Sequence, residues 1–148
     1  MNKNTRTAQV QWEGQGLAFQ ARGGSGFQLR FDSPSGPNAS SPMELVVMAS
    51  AGCTASDVIS ILQKKQQQVT QLEVNVVAAR AEEHPKVYTS IDLEYVVTGR
   101  NIDPKAVERA IELSLTKYCS VNLMLEKAVK ISQRYRIVEA AEAEAAAA

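Results

Sequence analysis

The segment spanning residues 41–68 constrains the fold most, because its first three turns carry almost no charge. Ser41 is a good N-cap, Pro42 suits the first helical position, and Glu44 lies three residues after the cap, so a capping box is predicted. Apolar residues are spread around the whole cylinder of this helix, which predicts that it is buried. Small residues at 49–52 allow another backbone to approach it closely.

Alternating apolar and polar residues predict the strands of the chain. They are expected at residues 5–12, 16–21, 27–31, 69–82, 87–98 and 131–138. Asp103 and Pro104 predict the start of a second helix that ends near Tyr118, and Ser120 is expected to cap a short helix at 121–127.

This order of elements indicates an α+β fold. We expect a single domain over residues 1–148, of which about 140–148 form a disordered or frayed tail. The first helix has too little sheet of its own to bury it on every side. A dimer in which two such helices meet would cover it.

The charge balance of the chain argues against two kinds of partner. Its 16 basic and 16 acidic residues give a formal net charge of zero, so no basic excess points to nucleic acid or to an anionic membrane surface. Residues 1–12 are polar, and we expect no leader and no apolar run of membrane length. These features predict a soluble, cytoplasmic protein without nucleic-acid or membrane partners.

Cys53 and Cys119 are the only cysteines, and they lie too far apart in sequence for a CxxC redox motif. With His84 as the single histidine, we expect neither a metal site nor a cofactor. Cys119 precedes a predicted helix start and follows Lys117 closely, a setting that favours a thiolate. Cys53 lies in apolar sequence and looks inert by itself. Either thiol is explained equally well as a buried core residue.

Three short motifs follow one another along most of the chain. They are Ser-Pro-Met-Glu-Leu at 41–45, Ala-Gly-Cys at 51–53 and Lys-Tyr-Cys-Ser-Val at 117–121. This arrangement resembles the OsmC and organic hydroperoxide resistance (Ohr) family, in a divergent OsmC-like branch. The resemblance implies an OsmC-like fold, with antiparallel sheets wrapped around central helices in an intertwined homodimer.

The resemblance also implies an activity, namely a thiol-dependent peroxidase that reduces organic hydroperoxides in oxidative-stress defence. Carried over by position, Cys53 is the thiol that attacks the peroxide and Cys119 the thiol that resolves it to a disulfide. Glu44 matches an acidic site residue of the family, although its capping role explains it as well. The implied partners are an apolar organic hydroperoxide and a dithiol reductant, either lipoyl-type or a low-molecular-weight thiol.

Two positions depart from the family pattern. Met43 stands where the family has its first acidic residue, and the first hairpin turn, residues 13–19, contains no arginine. Arg22 and Arg30 are the nearest candidates to replace the family's catalytic arginine. The departure favours an alternative, a binding protein of the same fold that holds a small apolar or acyl ligand. A structural dimer without a ligand is a third interpretation.

Overall fold

A computed structural model describes residues 2–33 and 40–141. The strands are β1 (Ala8–Trp12), β2 (Phe19–Gly23), β3 (Gln28–Phe31), β4 (Gln68–Arg80), β5 (Tyr88–Arg100) and β6 (Lys130–Glu139). The helices are α1 (Pro42–Lys64), α2 (Pro104–Leu113) and α3 (Ser120–Leu125), and a π-helical turn (Ser114–Tyr118) follows α2. This order confirms the α+β class.

The chain divides into two compact units, Met1–Val46 and Val47–Ala148. The expectation of a single domain over the whole chain stays a prediction. Of the predicted tail, Ala140 and Ala141 are helical, and residues 142–148 lie outside the described residues. Most of the predicted loop before α1, residues 34–39, also lies outside them.

The first unit contains an antiparallel sheet in the order β1-β2-β3. Gly14 and Gly16 in the turn between β1 and β2 adopt positive φ angles of 88° and 56°, which favour glycine. The predicted hairpin is therefore confirmed. The Ser41 hydroxyl accepts the Glu44 backbone N–H at 3.3 Å, as the predicted N-cap requires.

The second unit contains a sheet in the order β4-β5-β6. Strands β4 and β5 form a long antiparallel hairpin, whereas β6 runs parallel to β5. The expectation of purely antiparallel sheets is therefore wrong for β6. The chain leaves β5, passes through α2 and α3, and returns beside β5 in the same direction, and such a helical crossover produces a parallel pair.

The two short helices begin at different kinds of cap. Asp103 caps α2, since its carboxylate accepts the Lys105 N–H at 3.0 Å, and Pro104 is the first helical residue. The helix α3 is capped by Cys119, whose sulfur accepts the Asn122 N–H, and the prediction of Ser120 as the cap is wrong. Cys119 has the extended backbone (φ −75°, ψ 97°) that suits an N-cap, whereas Ser120 is already helical.

The core of the second unit lies between the sheet and the helices. Alternate residues of β5 pack against the buried faces of α1 and α2, which agrees with the predicted period of two. The fully buried members are Val58, Leu62, Ile91, Leu93, Tyr95, Val97, Val107, Ala110 and Ile111.

Within one chain, helix α1 is buried along one stripe, and the burial of its other sides stays a prediction. Its buried residues are Ser50, Thr54, Val58 and Leu62, spaced four apart. By length and composition α1 is apolar enough to cross a membrane, and 22% of its most apolar 18-residue window is buried. The expectation of no apolar run of membrane length is therefore wrong. The small polar residues of α1 interrupt its apolar sequence, but the mean hydropathy of the helix stays high. Hydrogen bonds from Ser50 and Thr54 hold one face of α1 against other parts of the second unit.

Candidate functional site

One face of α1 carries four polar residues of the candidate site. Ser50, Cys53, Thr54 and Asp57 are spaced by three, four and seven residues from Ser50, so they share a face of the helix. Ser50 and Thr54 are fully buried, whereas Cys53 and Asp57 are half-buried. The face is opposed by the π-helical turn, by α3 and by Tyr95 of β5.

The two cysteines, 66 positions apart in sequence, are neighbours in the structure. Their thiols interact electrostatically, since Cys53 raises the pKa of Cys119, and both are free. Cys119 has no exposed surface, whereas Cys53 is half-buried. A soluble reagent therefore reaches Cys53 first.

The local environment holds Cys119 in its neutral form. The pKa of its thiol is raised to about 11: burial is the main cause, hydrogen bonds from Asn122 act in the opposite direction, and the neighbouring Cys53 thiol adds to the increase. The sequence argument that Cys119 sits in a setting favouring a thiolate is therefore wrong. The nearby Lys117 ammonium lies over the Tyr118 ring, 5.3 Å from its centroid, and desolvation controls the thiol instead.

Asn122 connects the Cys119 sulfur to helix α1. Its side-chain Nδ2 donates to the Cys119 sulfur at 3.1 Å and to the Ser50 carbonyl at 3.1 Å. Its Oδ1 accepts from the Ser50 hydroxyl at 2.6 Å. Since every polar atom of this amide is paired, α3 is fixed against α1 one turn before Cys53.

A second chain of hydrogen bonds runs beside the thiols. The Ser114 hydroxyl donates to the Asp57 carboxylate at 2.9 Å, and Thr54 lies 2.7 Å from Ser114 and 2.8 Å from the Tyr95 hydroxyl. Because Ser114 gives its only proton to Asp57, it accepts from Thr54, and Thr54 in turn accepts from Tyr95. Each hydroxyl in this series therefore donates to the next group, from Tyr95 through Thr54 and Ser114 to Asp57.

This series of hydrogen bonds also positions Cys119. The Cys119 backbone N–H donates to the Ser114 carbonyl at 2.7 Å, closing the π-helical turn. Ser114 thus contacts Thr54, the residue after Cys53, through its side chain, and Cys119 through its backbone. Burial raises the pKa of Tyr95 to about 12, so this phenol stays neutral beside the thiols.

Glu44 and the candidate arginines belong to the first unit. The Glu44 side chain makes no reciprocal bond to Ser41 within residues 2–33 and 40–141, so only the serine half of the capping box forms. Arg30 donates through Nε to both carboxylate oxygens of Glu13, at 3.1 and 2.9 Å. Hydrogen bonds from Gln20 and Arg30 lower the pKa of Glu13. Arg22 lies on β2, where it pairs with Gln9 of β1.

An open groove of about 420 Å³ adjoins the site within the second unit. Its walls combine apolar and cationic side chains, and Asp57 and Tyr118 place it next to the cysteine-bearing segments. The lining residues are Asp57, Ser60, Ile61, Lys64, Lys65, Leu113 and Tyr118. In the described part of the chain, no three His, Cys, Asp or Glu side chains converge as metal ligands.

Sequence reasoning missed the residues that fix the two thiols. They are Ser50, Tyr95, Ser114 and Asn122. One signal was present, because Ser50 and Thr54 continue the four-residue spacing of the buried apolar Val58 and Leu62. A polar residue inside a buried stripe requires a partner. The identity of those partners depends on contacts made across 41 to 72 positions of sequence.

Comparisons with known proteins agree with this arrangement. Residues 34–134 match the family model described as OsmC-like protein. The chain is 50% identical over 133 residues to Protein YhfA of Escherichia coli strain K12, covering 90% of this chain and 98% of that protein.

Two solved structures have similar folds. A hypothetical protein from Aquifex aeolicus VF5 is 27% identical, with a TM-score of 0.82 over 92% of this chain and 98% of the other. An organic hydroperoxide resistance protein OsmC from Legionella pneumophila is 13% identical, with a TM-score of 0.67 over 91% and 98%. At that identity the second likeness concerns the fold alone.

Proposed function

The chain belongs to the OsmC-like protein family, and on that premise we propose that it is a thiol-dependent peroxidase that reduces organic hydroperoxides. The observation that supports this most is that two free thiols of unequal exposure, from remote parts of the chain, interact electrostatically. The accessible thiol is suited to attack a peroxide, and the buried one to react with its neighbour.

The proposed reaction has three balanced steps. The Cys53 thiol attacks the O–O bond of a hydroperoxide, giving a Cys53 sulfenic acid and the corresponding alcohol. The Cys119 thiol then attacks the oxidised sulfur, forming a disulfide and releasing water. A dithiol reductant, lipoyl-type or of low molecular weight, reopens the disulfide and becomes oxidised itself. Such a reductant is available in the cytoplasm, where we place the protein.

We also propose a homodimer. Most of the apolar α1 is uncovered in one chain, and Met48 is 53% exposed on the side away from the buried stripe. A Cβ built at Gly52 meets no atom within 4 Å, so that part of the helix is open to another backbone. A second copy seated there would remove this apolar surface from water.

Glu44 and an arginine complete the proposed site. The Glu44 carboxylate is exposed and is not occupied by the helix cap, so it is available to orient a cation. Arg22 and Arg30 remain the candidates for that cation, since an arginine beside a thiol favours the thiolate and can hold a peroxide oxygen.

The test is consumption of tert-butyl hydroperoxide with dihydrolipoate as the reductant. We expect turnover by the wild type and none by Cys53→Ser. Cys119→Ser is the matched control, because it keeps the attacking thiol and should complete one turnover without a disulfide. Equal consumption by the wild type and Cys53→Ser would exclude the proposed activity.

A second candidate is a binding protein for a small apolar or acyl ligand. It is favoured by the Arg30–Glu13 ion pair, which already engages one candidate arginine, and by the groove with Ile61 and Leu113 in its wall. Native mass spectrometry of the purified protein distinguishes the two candidates. A stoichiometric acyl ligand on a protein whose Cys53 resists excess peroxide would support binding.

A further inference from the structure

We propose that Asn122 is a catalytic residue of the resolving step, in which it stabilises the Cys119 thiolate as the disulfide forms and reopens. This role rests on the proposed peroxidase function and assigns one of its steps to a particular side chain. The geometry that supports it is direct. The Asn122 side-chain Nδ2 lies 3.1 Å from the Cys119 sulfur, and its backbone N lies 3.5 Å from the same atom.

The orientation of the Asn122 amide is fixed by Ser50. A backbone carbonyl only accepts hydrogen bonds, so the Ser50 carbonyl at 3.1 Å requires the NH₂ end of the amide on its side. The other end, Oδ1, accepts the Ser50 hydroxyl proton at 2.6 Å. The second hydrogen of the NH₂ group is therefore directed at sulfur, whereas a flipped amide would place its oxygen against the Ser50 carbonyl with no hydrogen between them.

This donor pair acts where water does not reach. Cys119 has 0% and Asn122 2% of its surface exposed, so a negative charge on the sulfur receives no hydration. Burial raises the pKa of this thiol, while the hydrogen bonds from Asn122 lower it. Preorganised N–H donors aimed at a developing charge in a dry site are an effective form of electrostatic stabilisation.

The charge develops in both directions of the cycle. In resolution, the Cys119 thiol gives up its proton, the resulting thiolate attacks the oxidised Cys53 sulfur, the S–O bond breaks, and the leaving hydroxide takes that proton to form water. In reduction, a thiolate of the dithiol attacks the Cys53 sulfur, the S–S bond breaks, and Cys119 leaves as a thiolate. The Asn122 donors contact the sulfur that carries the charge in each case.

The titratable and charged groups around Cys119 are few in the described chain. Cys53 faces it from α1, and Tyr95 of β5 interacts with it electrostatically, with Asp57 beyond Tyr95. The pKa of Tyr95 is about 12, above that of Cys119, so Cys119 ionises first as the pH rises. A Cys53→Ser background removes the other thiol and leaves Cys119 as the reacting group.

The kinetic experiment compares Asn122→Ala with the wild type, with Asn75→Ala on the exposed face of β4 as the matched control. Each protein is oxidised with tert-butyl hydroperoxide, and two rates are followed by rapid quench. Dimedone trapping reports Cys53 sulfenic acid formation, and the Cys53–Cys119 peptide reports the disulfide. We expect an unchanged first rate and a disulfide rate lower by about 10- to 100-fold in Asn122→Ala, the usual loss for a hydrogen bond to a charged group.

A second readout does not depend on peroxidase activity. In the Cys53→Ser background, the alkylation rate of Cys119 is measured against pH with and without Asn122→Ala. We expect the midpoint to move up by less than about one unit, because the side-chain donor is lost while the backbone N–H of residue 122 stays in place. Ser50→Ala, which keeps Asn122 but removes one of its anchors, should give a smaller change of the same sign, and serves if Asn122→Ala does not fold.

These experiments distinguish failure of the proposed role of Asn122 from failure of the proposed peroxidase function. An unchanged disulfide rate together with an unchanged Cys119 profile in the folded variants would overturn the role of Asn122. Equal slowing of both oxidation steps would reduce Asn122 to a structural role and overturn it as well. If the wild type forms no sulfenic acid, the peroxidase proposal fails, while the pH profile still decides whether Asn122 stabilises the thiolate.

Discussion

At the Cys119 sulfur, burial and hydrogen bonding act in opposite directions on a single proton. Burial dominates and raises the pKa from an ordinary 9.0 to about 11. Tyr95 follows the same pattern, from 10.0 to about 12. In both groups the folded state binds the proton more tightly than the unfolded state does. The resulting stability is complete below the unfolded pKa and is lost as the pH rises through the folded pKa.

This sign predicts how stability depends on pH. We expect the free energy of unfolding to fall between pH 9 and 11 through Cys119 and between pH 10 and 12 through Tyr95, by at most about 1.4 kcal/mol per pH unit for each group. Urea denaturation of the reduced protein at several pH values measures it. Cys119→Ala should flatten the slope above pH 9, and Tyr95→Phe should flatten it only above pH 10. A slope unchanged in Cys119→Ala would show that this thiol is not held neutral by the fold.

At the scale of the elements, hydrogen bonds made by α1 fix the two cysteine-bearing segments relative to each other. Thr54 bonds β5 through Tyr95 and the π-helical turn through Ser114, while Ser50 bonds α3 through Asn122. These contacts are buried, so each polar group depends on its partner and not on water. The same helix therefore carries Cys53 and determines where Cys119 lies.

Removing the Thr54 hydroxyl tests this dependence. Thr54→Val keeps the shape of the side chain but leaves the Tyr95 hydroxyl and Ser114 short of a partner, so we expect a loss of about 2 kcal/mol in unfolding free energy. Ser56→Ala is the matched control on the exposed side of α1, where the expected loss is below about 0.5 kcal/mol. Equal losses in the two variants, measured by urea denaturation, would contradict the account.

The β4–β5 hairpin contains a glycine that its packing requires. A Cβ at Gly99 would lie 2.2 Å from the Gln68 carbonyl oxygen and 2.7 Å from Ile102 Cδ1. We expect Gly99→Ala to destabilise the protein by about 1–3 kcal/mol, because the obstructing oxygen belongs to the backbone. Gly23→Ala is the control in another strand, where the nearest atom is 3.8 Å away. Similar melting temperatures for the two variants would contradict this steric explanation.

At the scale of the whole molecule, the uncovered apolar face of α1 bears on the proposed dimer. Met48 and Gly52 lie on that face. One chain buries only 22% of the most apolar 18-residue window of this helix. A charge placed there would be buried without a partner in the dimer but solvated in the monomer.

Sedimentation measures this directly. We expect the wild type at micromolar concentration to sediment at twice the chain mass of 16.1 kDa, and Met48→Glu to sediment near the single mass. Lys127→Glu, at an exposed position after α3, is the control and should remain dimeric. A monomeric wild type, or a Met48→Glu protein that stays dimeric, would place the interface elsewhere or remove it.

The local parts of this fold follow from the sequence, whereas the relations between elements do not. Asp103-Pro104 and the alternation of β5 depend on neighbouring residues, so the start of α2 and the buried strand face were predictable. The parallel direction of β6 depends on a crossover of about thirty residues, which no local pattern encodes. The same holds for Asn122, because a residue 72 positions away, Ser50, fixes its amide.

The central claim is that Cys53 and Cys119 form one redox pair, and peptide mapping after a single oxidation tests it most directly. The reduced protein is mixed with one equivalent of tert-butyl hydroperoxide, quenched with acid within seconds, alkylated and digested without reductant. We expect a Cys53–Cys119 cross-linked peptide to account for most of the protein. Cys53 remaining as sulfenic acid, trapped with dimedone, beside an alkylated, unoxidised Cys119 would contradict the account.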